Sequence, residues 1–175
     1  MKRTILATSL ATLTLALTLM FGIVSHAATT GTDNQNVSAN VTSTLELAVP
    51  SDLDFGNLDI GDNESGNQGV LVKSNVSYGI QIKADRTDMT EFTTATSTYG
   101  TTTLVEAFEW EEAASGSYAD ISTSNASVVS AAPATPHAGT ITNVKYKQEA
   151  KFDDEPLGTG IEYHIIITFT ATQGI

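Results

Sequence analysis

Carboxylates crowd two stretches of this chain. Asp52, Asp54, Asp59, Asp62 and Glu64 lie close together, and Asp153, Asp154 and Glu155 are consecutive. Carboxylates on loops, joined by amide and backbone carbonyl oxygens, are how proteins supply the six to eight oxygens that calcium takes. Calcium is therefore the only cofactor these clusters suggest. The first cluster lacks the Asp-x-Asp-x-Asp-Gly spacing of an EF-hand loop. On a strand, Asp52 and Asp54 would share the exposed face, opposite Leu53 and Phe55. A solvated polar turn accounts for both clusters without a metal. Paired carboxylates also serve glycoside hydrolysis, but a sugar cleft is usually lined by aromatics. Trp110 is the only tryptophan. With Tyr99 and Tyr118 it could make a small stacking platform for a sugar ring, and core packing competes for it.

Outside the first 27 residues the histidines are His137, beside Pro136, and His164, on the polar side of an alternating run. Nothing in the sequence sets a nucleophile beside either one. There is no Gly-x-Ser-x-Gly elbow and no Gly-Lys-Ser/Thr phosphate loop. Cysteine is absent, which excludes thiol chemistry, zinc-thiolate sites and disulfides. No catalytic residue is assigned. Five Asn-x-Ser/Thr triplets begin at Asn36, Asn40, Asn63, Asn75 and Asn125, each an acceptor for N-glycosylation if the source carries it out.

The start of the chain bears on where such groups would act. Lys2 and Arg3 precede an apolar and hydroxyl-bearing run to Val24, and Ser25-His26-Ala27 follows. That is the pattern of a secretory signal peptide with cleavage after Ala27. A retained anchor is the alternative. Residues 28–36 read as a flexible polar tail, and 37–175 as one domain. Loss of the leader leaves six basic residues against 20 acidic ones. A surface this acidic gives no footprint for nucleic acid or anionic membrane. No membrane insertion is expected once the leader is gone.

The elements that would position these residues alternate at period two. Val37, Ala39, Val41, Leu45, Leu47 and Val49 predict a strand over 37–49, ended by Pro50, with Asn36 and Asn40 on its polar face. LDFGNLDIG (53–61) predicts a short bent strand, GDNESGNQG (61–69) a polar turn, and 70–73 and 78–82 two further strands. Residues 85–103 read as an irregular edge. In 104–112 a strand and a helical turn compete, with Glu106 spoiling the alternation. Residues 113–139 read as loops with one or two short strands. Val144, Tyr146, Gln148, Ala150 and Phe152 alternate with Lys145, Lys147, Glu149 and Lys151. Ile161 to Ala171 alternates likewise, with Ile166 the exception on the outer face. A turn at DDEPLGTG (153–160) would join these two runs as a β-hairpin in one sheet. The pattern predicts an all-β, immunoglobulin-like antiparallel β-sandwich. A closed β-barrel is the alternative.

SANVTSTLELAVPSDLDFGNLDIG (38–61), VLVKSNVSYGIQIKAD (70–85) and VKYKQEAKFDDEPLGTGIEYHIIITFTAT (144–172) resemble small secreted β-sandwich proteins of bacteria and archaea. The WxL-type surface proteins and spore-coat or pilus-like subunits have a similar layout. The resemblance covers about half of the chain after the leader. The paired cysteines of pilus-like subunits and the Trp-x-Leu motif are both missing. It implies surface display or assembly and transfers no catalytic residue.

The sequence thus leads to a non-enzymatic secreted or cell-surface protein, structural or adhesive. Its partners would be other surface proteins, itself, or a cell-wall or extracellular polysaccharide. A carbohydrate or wall-polymer binding module is the alternative function. The tail 28–36 has no apolar alternation to donate as a strand to a neighbour, whereas edge pairing or swapping of 37–49 stays open.

Overall fold

A computed structural model describes residues 35–112 and 115–175. The expected leader and most of the tail lie outside the described residues. Two compact units are distinguished, one ending at Asn40 and the other spanning Val41–Ile175. In the first, residues 35–40 form no regular element, and Val37 is exposed.

The second unit is all-β, with no helix among the described residues. Its strands are β1 (Leu45–Ala48), β2 (Gly61–Glu64), β3 (Gln68–Ser74), β4 (Tyr78–Ala84), β5 (Thr90–Thr93) and β6 (Thr98–Thr103). They continue as β7 (Glu109–Glu112), β8 (Ala119–Asp120), β9 (Ala126–Ala132), β10 (Thr140–Ala150), β11 (Ile161–His164) and β12 (Ile167–Gln173). The largest sheet runs β1-β3-β10-β7-β8, with β2 also on β10. A second sheet runs β12-β4-β9 and a third β11-β5-β6. All strand pairs are antiparallel, and no sheet closes into a barrel.

The core explains the layering. Val70 and Val72 of β3, Val144 and Tyr146 of β10 and Trp110 of β7 meet Tyr78, Ile80 and Ile82 of β4 in one buried cluster. Two sheets each bury one face against the other, which is a β-sandwich.

Four expectations are corrected. The strand predicted over 37–49 is only β1. Leu45 pairs with Ser74, the last residue of β3, so residues 41–43 have run past the end of their partner. Asn75 caps that end, accepting from the Thr44 N–H and donating to the Thr42 carbonyl.

The strand predicted within 53–61 is absent. Asp54 accepts the Gly56 N–H at 2.7 Å, and Gly56 sits at φ 65°, a left-handed turn that breaks an extended run. The predicted turn 61–69 is instead mostly strand. β2 and the start of β3 lie along β10, and the Ser65 hydroxyl accepts the Tyr146 N–H between them.

The hairpin joining 144–152 to 161–171 does not form. Both sides of β10 are already taken, by β3 and β2 on one and β7 on the other. The later run therefore pairs elsewhere and is divided, β11 joining β5 and β12 joining β4. Phe152, expected to face inward with Ala150, is 90% exposed because the strand ends before it.

Candidate functional site

The break between β11 and β12 lies beside a concavity of the second unit. Five residues, 85–89, separate β4 from β5, while only Ile165 and Ile166 separate β11 from β12. The longer side must bulge. Asp85 holds the junction: its carboxylate accepts the Ile166 N–H at 2.9 Å and its own N–H donates to the Ile166 carbonyl at 3.0 Å. Arg86 pairs with the same carboxylate at 3.1 Å. Burial pushes the Asp85 carboxyl upward, but the Ile166 N–H and Arg86 together hold it below its ordinary value.

The cleft beside this junction encloses about 1050 Å³. Leu53, Phe55 and Leu58 line one side, and Ile165, Ile167 and Phe169 line the other. The LDFGNL segment, expected as a strand, thus forms a wall without pairing. Phe55 meets Phe108 edge-on at 6.2 Å, which fixes its ring over the core. Asp154, also in the lining, accepts two backbone N–H groups, Val105 and Lys151, at 2.7 Å each. The Tyr163 hydroxyl donates to the Glu155 carbonyl at 2.8 Å. The cleft has largely apolar walls, and two of its acidic groups, Asp54 and Asp154, are committed to holding loops.

The carboxylates read as calcium candidates are dispersed. Asp52 and Asp54 line the cleft, and Asp54 is bound to Gly56. Asp59 is held through its backbone N–H by Asn63. Asp62 lies 4.0 Å from Lys147, and Glu64 lies beside Tyr118, whose phenol burial and then that charge push up. Asp153 is exposed, and Asp154 is engaged as described. Among the described residues no three carboxylate or imidazole groups gather as a metal would require.

The aromatic candidates do not form one platform. Trp110 is 8% exposed, inside the core cluster. Tyr118 lies under the Lys147 ammonium at 5.2 Å. Tyr99 belongs to a different group, with Phe92 at 4.9 Å and His164 at 5.9 Å. His164 stacks on Phe92 at 4.6 Å and lies 3.5 Å from Glu162. The Arg86 guanidinium sits 3.2 Å from the Tyr99 ring centroid, a cation–π contact. Sequence reasoning missed Arg86, Phe92 and Asp85. The signal was present in Arg86 as the only arginine besides Arg3, next to Asp85 where an alternating strand stops. His137 is exposed in a loop.

The asparagines of the glycosylation triplets differ in how far their amides are engaged. Asn63 Nδ2 donates to the Asp59, Gly61 and Gln148 carbonyls, Asn75 Nδ2 to Thr42, and Asn125 Nδ2 to Gln81. A glycan leaves one N–H on the amide, so on Asn63, which donates three times, it would have to displace bonds. Asn36 and Asn40 are exposed, with no side-chain hydrogen bond among the described residues.

The remaining feature is the outer edge of β12. Gly174 donates its N–H to Ser77, and Asp85 donates to Ile166, both across the β4 ladder. By two-residue alternation the even-numbered backbone groups face β4. Those of Ile167, Phe169, Ala171 and Gln173 face away from it, where β12 has no paired strand.

No protein-family model matches this chain, and no curated protein matches it.

Proposed function

We propose that this is a non-enzymatic, exported surface or matrix protein that acts by associating with other macromolecules. The observation that carries the reading is the character of its free strand edges. Exposed edges template pairing with another chain, and proteins blunt them with short strands, charges, prolines or bulges. β1 and β2 have four residues each and carry Glu46 or Asp62 and Glu64. β8 has two residues, and β11 carries Glu162. β6 and β9 pair with register shifts. β12 has seven residues in unbroken register, with no proline, glycine or charged side chain.

The leader, the acidic composition and the resemblance to secreted β-sandwich subunits support the same reading. Polysaccharide binding has less support, because Trp110 offers no stacking face.

The test is sedimentation of the exported chain across concentration, with and without calcium. Larger species at higher concentration are expected. A monomer at every concentration in both conditions would move the protein to the polymer-binding class.

A further inference from the structure

We infer that the edge of β12 is a self-recognition element, pairing antiparallel with β12 of a second copy about a two-fold axis at Thr170. This names the partner within the associative function proposed above and rests on that reading.

Charge limits where a second copy can approach. The chain carries 20 acidic residues against eight basic ones, so two copies repel across most of their surfaces. From Ile165 to Ile175 there is no charged side chain. A second copy therefore meets no like-charged side chain along this edge, and the edge presents unpaired backbone groups to reward the approach.

The sequence of the edge is compatible with its own reversal. Centred on Thr170, Thr168 lies opposite the second copy's Thr172, and Thr170 opposite its own counterpart. The exposed threonines then form a ladder on one face, a pairing that favours antiparallel strands. On the other face Phe169 meets Ala171, and Ile167 meets Gln173, all half-buried in the single chain. Ile166 and Ile175, about half-exposed at 49% and 54%, flank the edge and are brought to the same end of the pair.

The backbone phase agrees. The outward groups belong to odd-numbered residues, so Phe169 and Ala171 of opposite copies exchange hydrogen bonds. Thr170 then forms the non-hydrogen-bonded pair, with Cα atoms about 4.5 Å apart. An isologous contact of this kind closes as a dimer.

The native absence of cysteine gives a clean probe. In the exported chain, Thr170→Cys should oxidise to a covalent dimer, because that Cα spacing suits a disulfide. Ser130→Cys, on the exposed face of β9, should form no covalent dimer under the same oxidation. Thr170→Lys sets two ammonium groups face to face and should weaken association at least 10-fold. Ala171→Pro removes one outward N–H without touching the β4 ladder and should do likewise. Thermal unfolding of each variant reports retention of the fold.

If the wild type associates while Thr170→Cys fails to cross-link and both edge variants associate normally, the β12 contact is wrong and the associative function stands. If removing residues 28–43 abolishes association while Thr170→Lys does not, the contact is likewise overturned. A wild type monomeric at every concentration overturns both.

Discussion

Two stretches of the chain have the same sequence grammar and different fates. The run from Thr140 to Ala150 and the run from Ile161 to Gln173 both alternate apolar and polar residues. The first becomes one continuous eleven-residue strand at the centre of the largest sheet. The second is split between two sheets, and its β12 half has a free edge. Alternation specifies that a segment has a buried face. It does not specify which partners lie beside it.

The difference is visible in the outward faces. Lys145 lies directly opposite Glu111 and Lys147 opposite Glu109, with ammonium–carboxylate distances of 3.3 and 2.6 Å. The hydrogen bond to Glu109 pushes Lys147 above its ordinary pKa. β10 is thus fixed by opposite charges across a fully paired ladder. β12 has only threonines facing out.

The largest expected break in this comparison is in the core. Tyr146, 5% exposed and stacked on Phe108 at 5.5 Å, should cost about 3–5 kcal/mol on change to alanine, read by denaturant unfolding. Phe169→Ala, on a half-buried β12 position, should cost less than half as much. Equal losses would mean that β12 is as deeply integrated as β10.

Asp85 comes next, because it holds the split. Asp85→Asn should cost about 1–2 kcal/mol by weakening the bonds to Ile166 and Arg86. Its carboxyl is held below the ordinary 3.8, so its contribution is fully present above that pH. As pH falls below 3.8 and through the folded-state value, the contribution is lost. Thermal unfolding across this range should show the wild type losing its advantage over Asp85→Asn. A difference that stays constant as the pH falls ever further below 3.8 would contradict the assignment.

A smaller effect tests the charge ladder. Lys147→Glu sets like charges opposite each other and should cost about 0.5–1 kcal/mol. Phe152→Ser should change stability by less than about 0.5 kcal/mol, because Phe152 lies beyond the strand end and is 90% exposed.

Much of the fold was legible where a strand is buried on one face for its whole length. β4 and β10 follow the alternation because Tyr78, Ile80 and Ile82 meet Val144 and Tyr146 in one cluster. The misreadings arise where pairing is decided by distant residues. Residues 41–44 continue the alternation of β1, yet their partner strand has already ended at Ser74. Residues 61–64 carry almost no apolar signal, yet β10 offers them a vacant ladder and Asn63 binds them to it. The carboxylate candidates were legible as a composition but not as a geometry. Which oxygen meets a backbone N–H, as Asp54 and Asp154 do, depends on loop conformation that spacing does not encode.

Amide hydrogen exchange of residues 28–175 at low and high protein concentration compares the two strands in one experiment. Amides bonded on β10 should be protected at both concentrations. At low concentration the outward amides of Ile167, Phe169 and Ala171 should exchange quickly, while those of Thr168, Thr170 and Thr172 stay protected by β4. At high concentration the outward set should become protected. Outward amides that exchange equally fast at both concentrations, in a chain that has associated, would contradict pairing through β12.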